Sequence, residues 1–416
     1  MNLFLLLILI FYIGSYLLQV VTDILNLRHL LFQIPPEFYH FYDQTKYNRS
    51  QAYLKDNTVF SLIKDTIFTL IGISFILLGG FNALDILVRS FGFGYLVSGL
   101  FFVGILLLFL QFFGLPFEIY RTFVIEKKYG FNKTTVKTFI IDRIKLVVLG
   151  GIIGSFLLAG VLLFFNKLGA NAWFVVWLFV FIVQLILYII APIWIMPLFN
   201  KFENLEDGEL RQAVATYIKS QKYKIKGIYK MDGSKRSTKT NAFFTGFGRF
   251  RRIVLFDTLI SKHSIPELIA VIGHEVGHYK KAHIYKLMVL SMLSLGLMLF
   301  IFSWFINNPY LFAAFKMENF SIYASLVFFG FLFTPIELLI SFFSKVLSRK
   351  YEFEADYFAA ATTKDPENMI LALKKLSVEN LSNLTPHPVK VFLEYSHPPV
   401  LERIEALRAI PFTTII

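Results

Sequence analysis

Seven stretches of this chain are apolar and long enough to cross a lipid bilayer, which removes most soluble folds from consideration. A helical span needs about 20 apolar residues. The runs are roughly Leu3–Val21, Leu62–Leu84, Tyr95–Ile119, Leu146–Phe165, Trp173–Met196, Leu287–Ile306 and Ile322–Val346. Within hydrocarbon every backbone N–H and C=O must be paired inside the protein, so each run reads as a helix and the chain as mainly α. Composition agrees: 56% of the 416 residues are hydrophobic and 49 are Phe, against about 45–50% apolar residues in soluble domains. The first run has no Lys or Arg ahead of it and no small-x-small cleavage signal. It is expected to remain as a helix rather than be removed as a signal peptide.

The formal net charge is +13. Nucleic-acid binding would account for it, but the distribution favours a membrane reading, and no nucleic-acid partner is expected. Basic residues collect in alternate loops. Arg28, Lys46, Arg49 and Lys55 follow the first run; Arg121, Lys127, Lys128, Lys133 and Lys137 follow the third. The tract from Lys219 to Arg252 follows the fifth, and Lys345, Arg349 and Lys350 close the seventh. The other loops carry Arg89, Lys167 and Lys316. Positive charge stays on the cytoplasmic side, so the amino terminus is expected outside and the carboxyl terminus inside. A polar, Tyr-rich loop around Asp43–Val59 is expected to pack on the cytoplasmic face, and the long basic tract could lie against anionic headgroups. Four parts are expected: 1–199 with five helices, 200–285 soluble, 286–346 a two-helix hairpin, and 347–416 soluble.

The soluble segment carries His274-Glu275-Val276-Gly277-His278, an H-E-x-x-H pattern. Residues four apart on a helix differ by about 40° around its axis, so His274 and His278 share a face and can bind one ion. Glu275, turned by about 100°, lies beside that face and suits the role of general base toward a zinc-activated water. Ser264-Ile265-Pro266-Glu267 starts the helix as a capping box. With no Cys in the chain, zinc must be held by His and carboxylate, as in catalytic rather than structural sites. The third ligand is sought in Tyr351-Glu352-Phe353-Glu354-Ala355-Asp356. Glu352 and Asp356 share a helix face, so Glu352 can bind zinc while Asp356 receives the free N–H of a ligating histidine. An ordinary charged helix face reads equally well there. Glu354 is expected to be solvated and His283 to be interfacial, and neither is taken as a ligand. Gln111, Glu118, Gln184 and Glu337 are costly against lipid and read as chamber-lining or as buried between helices.

These residues carry a resemblance. His274 to His278, a two-helix hairpin, and then Glu352-Phe353-Glu354-Ala355-Asp356 resemble the type I CAAX prenyl endopeptidases, integral-membrane gluzincins. Thr45-Lys46 with Ser50 and Tyr53, Glu126 to Asn132, Pro197 to Asn200, Asn241 to Phe247, and Ser396-His397-Pro398-Pro399 with Glu402-Arg403-Ile404 extend the similarity over nearly the whole chain. The resemblance implies a seven-helix barrel enclosing an intramembrane chamber and capped by a split zincin-like α+β peptidase domain. It implies one zinc on His274, His278 and Glu352, Glu275 as base, and Asp356 behind the ligands. It also implies Asn241 on the substrate backbone, His397 at the oxyanion, and Arg403 holding that region. On the residues alone, Asn241 reads first as a turn residue and His397 as a loop histidine. Arg403 reads as a surface charge or a partner of Glu402 or Glu405.

Asn241 and His274 are close in sequence where eukaryotic members carry an insert, which points to a prokaryotic homologue in a bacterial inner membrane. The expected activity is a zinc endopeptidase at the cytoplasmic membrane face. Its expected partners are membrane lipids and a peptide or protein substrate that could carry a carboxyl-terminal prenyl group. Two readings compete: a quality-control metalloprotease without a prenyl requirement, and a non-enzymatic transporter or scaffold with a vestigial metal site.

Overall fold

The structure, a computed structural model, describes residues 2–222, 225–246 and 251–411. Lys224 and Arg249 of the basic tract, and Phe247, lie outside the described residues. The fold is mainly helical. The helices in chain order are α1 (Leu3–Arg28), α2 (Gln44–Leu77), α3 (Gly80–Ser90), α4 (Tyr95–Tyr120), α5 (Val136–Leu168), α6 (Trp173–Ile190), α7 (Glu209–Ser220) and α8 (Asp257–Ile260). They continue with α9 (Ile265–Lys280), α10 (His283–Ser303), α11 (Pro309–Ala314), α12 (Ile322–Thr363), α13 (Pro366–Glu379), α14 (Pro388–Glu394) and α15 (Val400–Arg408).

Among the described residues, six stretches are long and apolar enough to cross a bilayer. The fourth, Val136–Leu198, runs to 63 residues and doubles back. Gly169 adopts a φ of 58° just after α5, and Phe179 of α6 packs on both Phe156 and Phe164 of α5. Two expected boundaries are corrected. Asp43–Val59 is not a loop: Asp43 caps α2 through the Lys46 N–H at 2.7 Å, and the helix runs on from Gln44 into the apolar stretch. That helix stops at Leu77, short of Leu84, because Gly79 turns left-handed (φ 75°) and α3 begins anew. Among the intramembrane polar residues, Glu118 pairs with Arg143, Glu337 lines a cavity, and Gln184 stands exposed on α6.

A four-stranded mixed sheet lies beside the helices, in the order β1 (Phe202–Asn204), β2 (Gly227–Met231), β4 (Arg252–Phe256), β3 (Ala242–Thr245). β2 and β4 are parallel, and β3 joins β4 antiparallel as an outer strand. Helix α9 packs against this sheet and against α12. Its faces divide by helical geometry. Leu268, Ile272 and Val276, spaced by four, are 1%, 0% and 0% exposed against the sheet side. Each contributes about 1.5–3 kcal/mol on burial. Gly273 and Gly277 lie roughly 100° further round, and His274 and His278 roughly 200°.

The glycine face meets α12. A Cβ on Gly277 would lie 3.1 Å from the Ala355 Cα and 3.2 Å from its carbonyl oxygen, and one on Gly273 3.3 Å from the Ala359 Cα. Two glycines and two alanines, each pair spaced by four, therefore let the backbones of α9 and α12 approach closely, as small-xxx-small pairs do. Glu267 fixes the start of α9 twice. It accepts from the Ser264 N–H at 3.0 Å, as a capping box requires, and from Lys375 of α13 at 2.7 and 2.9 Å. Helix α12 has 42 residues, so it is about 63 Å long, roughly twice the thickness of a hydrocarbon core. One continuous helix thus carries the bilayer-length apolar segment and, beyond it, Glu352 and Asp356.

Gly277→Val is expected to destabilise the fold by about 1–3 kcal/mol through overpacking and to reduce retained metal. Thermal unfolding and metal content of the purified variant check both; wild-type values would remove the close helix crossing from the account.

Candidate metal centre

The close crossing brings His274, His278 and Glu352 to one point. Their candidate ligand atoms all lie within 4.8 Å of one another. The separations are 3.0 Å for His274 Nε2 to His278 Nε2, 3.5 Å for His274 Nε2 to Glu352 Oε2, and 3.2 Å for His278 Nε2 to Glu352 Oε1. Tetrahedral bonds of about 2.0–2.1 Å imply edges of roughly 3.3 Å, so the three donors fit a single ion. Glu352 Oε2 supplies a second test. It is buried and has no aligned hydrogen-bond donor, although His397 Nδ1 approaches to 2.9 Å. That unspent acceptor capacity suits a cation.

Behind the donors is a charged scaffold. Arg403 of α15 forks onto Asp356, with Nε at 2.7 Å from Oδ2 and Nη2 at 2.6 Å from Oδ1. Asp356 Oδ1 in turn lies 2.8 Å from His274 Nδ1. With that nitrogen protonated toward Asp356, Nε2 of His274 presents a lone pair to the donor cluster. Arg403 therefore pairs with Asp356 and, at 3.4 Å, with Glu352, not with Glu402 or Glu405 as read from sequence. The reason is tertiary: α15 packs Arg403 into the site, where its side chain is 11% exposed.

Burial alone would lower the His274 imidazole, but the Asp356 and Glu352 carboxylates outweigh it and hold it up at about 9. Carboxylates that favour a proton there favour a metal cation too. Burial weakens the Arg403 guanidinium, and the Asp356 charge more than restores it. Burial also pushes the Glu275 carboxyl up, against the lowering effect of His274 and His278. Glu275 accepts a hydrogen bond from the Phe244 backbone of β3, so this carboxyl lies between the donor cluster and the outer strand.

His283, expected as an interfacial residue rather than a ligand, stands at the first position of α10 and is 1% exposed. Its ring stacks on Tyr351 at 4.1 Å, its Nδ1 lies 3.1 Å from His278 Nδ1, and its Nε2 lies 3.1 Å from Glu354 Oε2. Glu354 is accordingly hydrogen-bonded to His283, with its side chain still 33% exposed. With His278 Nε2 turned to the donor cluster, its Nδ1–H donates to His283, whose Nε2–H donates to Glu354. This relay does for His278 what Asp356 does for His274. No sequence signal marked it, because periodicity does not reveal that a histidine five residues past the motif is buried.

His397 reaches Glu352 but keeps a side chain 66% exposed. The turn that carries it is held by α12: Arg349 donates to the Val391 and Tyr395 carbonyls at 3.0 and 2.6 Å, and Lys345 to Leu393 at 3.0 Å. Asn241 is not brought into contact with the cluster. It is exposed at the start of β3, its side chain accepting from the Ala242 N–H at 2.8 Å.

Bilayer-length helices, a His-Glu-x-x-His helix and a carboxylate ligand candidate on a crossing helix define an integral-membrane metallopeptidase. Residues 23–201 match the family described as CAAX prenyl protease N-terminal, five membrane helices, and residues 204–411 match peptidase family M48. The CAAX prenyl protease 1 homolog of Mus musculus is 34% identical, covering 90% of this chain and 89% of its own. That of Arabidopsis thaliana is 32% identical over 95% and 96%. The crystal structure of S. mikatae Ste24p superposes with a TM-score of 0.92 at 31% identity, covering 97% of this chain and 99% of the other. The chain belongs to peptidase family M48, and it is a membrane metalloendopeptidase of the CAAX prenyl protease type.

His283→Ala is expected to weaken metal affinity by about 10–100-fold, the usual cost of removing a residue that orients a ligand. A chelator-competition titration reads it. An unchanged affinity would leave His283 as packing only.

Proposed function

We propose that the metal is a single zinc ion per chain held by His274, His278 and Glu352. What carries this reading is the set of three near-equal donor separations together with the unsatisfied Glu352 Oε2. Zinc, when bound, supplies Lewis acidity toward a carbonyl and makes water more acidic. The chain's residues supply the rest. Glu275 takes the proton of the attacking water and delivers it to the leaving amine, and its burial raises its affinity for that proton. The outer strand β3 is the element along which an extended peptide would lie, with Asn241 at its start to contact the substrate backbone. His397 donates to the developing oxyanion, an interaction worth about 2.7–4 kcal/mol. Asp356 and Arg403 keep His274 oriented.

The membrane part is proposed as a seven-helix barrel around a chamber, built from 1–199 and 286–346 and capped by 200–285 and 347–416. Its support is the folded-back pair α5–α6 and two cavities that share Gly330 and Ser341 of α12, of about 1100 and 390 Å³. The larger, between α1, α2 and α12, is mostly apolar where Phe68, Phe331 and Phe342 line it. It suits a hydrocarbon chain, so a carboxyl-terminally prenylated peptide is the proposed substrate. The charge asymmetry of the loops supports an amino terminus outside and an active site in the cytoplasm. A vestigial scaffold is not favoured, because donors, base and family membership are all present.

Glu275→Gln is expected to keep stoichiometric zinc and lose peptide cleavage by at least about a hundredfold; cleavage at the wild-type rate would remove Glu275 as the base. Cleavage of a farnesylated CAAX peptide should exceed that of its unprenylated form and stop with a zinc chelator. Equal cleavage of both peptides would sink the prenyl requirement while leaving the peptidase intact.

A further inference from the structure

A second polar site lies where α5 and α6 meet the peptidase segment. A cavity of about 390 Å³ is lined by Asp142 and Lys145 of α5, Lys201 just after α6, and Asp232, Lys235 and Arg236 after β2. Four cationic side chains thus face two carboxylates, and both carboxylates are already engaged. Asp142 accepts the Arg236 fork at 2.8 and 3.0 Å. Asp232 accepts from the Lys201 N–H at 2.7 Å and from Asn200 Nδ2 at 3.2 Å.

The cations are less well matched. Lys145 donates to the Leu198 carbonyl at 2.6 Å and lies 5.8 Å from the Phe199 ring centroid; no carboxylate pairs with it among the described residues. Lys235 is exposed and likewise lacks a carboxylate among the described residues. Arg236 Nη1 is buried with no acceptor. An ammonium has three donors, so Lys145 and Lys235 together retain several N–H groups for an external anion.

Position decides what kind of anion. The cavity opens where apolar surface begins. Ile141 lines it, and along α5 Ile144, Val147 and Val148 are 58%, 39% and 52% exposed. Leu198, in the wall, is 46% exposed, and Trp194 just before it 70%, as an aromatic residue at a headgroup layer would be. A phosphate held by the lysines would leave its acyl chains against that surface. Basic pockets between membrane helices take anionic headgroups in this way.

We propose that this cavity binds one anionic phospholipid through its headgroup phosphate, with Lys145 and Lys235 as the principal contacts. The bound lipid would join α5, the segment after α6 and the loop after β2, adding to the Asp142–Arg236 pair, the Lys145–Leu198 hydrogen bond and the Asp232 contacts with Asn200 and Lys201. The site is independent of the metal centre and of the peptidase mechanism.

The test titrates the full-length purified protein with dioctanoyl phosphatidylglycerol, dioctanoyl phosphatidylcholine or inorganic phosphate, reading thermal unfolding. Phosphatidylglycerol should raise Tm saturably, and the other two should not. Lys145→Gln with Lys235→Gln should weaken the apparent Kd for phosphatidylglycerol by about tenfold or more. Lys167→Gln, at the opposite end of α5, should leave it unchanged. An equal shift with the choline lipid, or with phosphate alone, would overturn the proposal, as would an unchanged Kd in the double variant. If the double variant folds poorly, Lys235→Gln alone, at an exposed side chain with no carboxylate partner, must still weaken binding by about threefold or more; no change there overturns it equally.

Discussion

The close crossing of α9 and α12 is the contact on which the site depends. Gly273 and Gly277 lie against Ala359 and Ala355 with no room for added side chains. On α9 the histidines follow the glycines by one position, and on α12 Glu352 and Asp356 flank Ala355. Each ligand face is therefore a helical step from a contact face. Larger side chains at the crossing would separate the helices by several ångströms and leave three polar groups half-buried without a common centre.

Asp356 is the electrostatic pivot of the assembly. It accepts the Arg403 fork and faces His274 Nδ1, so one carboxylate ties α9, α12 and α15 together. Burying such a group unpaired would cost several kcal/mol; here each oxygen has a charged or polar partner. Glu354 and His283 form the corresponding support for His278, with Tyr351 stacked on the imidazole. The two candidate ligand histidines are thus oriented by different chemistry, one by a carboxylate directly and the other through a second imidazole.

Much of this was legible in the sequence, and the remainder failed for identifiable reasons. Helical spacing and ligand chemistry single out His274, Glu275 and His278, because metal ligation demands particular residue types at particular intervals; they make Glu352 and Asp356 candidates, although an ordinary charged helix face reads equally well there. The apolar runs mark the long helices, but not where α2 starts. Its polar first turns carry Tyr47, Ser50 and Gln51 buried against the peptidase part, and a buried polar helix has no amphipathic period. Arg403 and His283 acquire their partners only through packing between distant elements, so neither could be placed by local spacing. The Gly273/Gly277 and Ala355/Ala359 pairs were present as a small-xxx-small signal on both helices, although it takes the structure to show that they face each other.

X-ray absorption spectroscopy at the zinc edge of the purified protein tests the central claim most directly. The account predicts one metal per chain, with two imidazole nitrogens at about 2.0–2.1 Å and the remaining donors oxygen. A protein that retains no stoichiometric metal, or one whose metal shows fewer than two imidazoles, would contradict it.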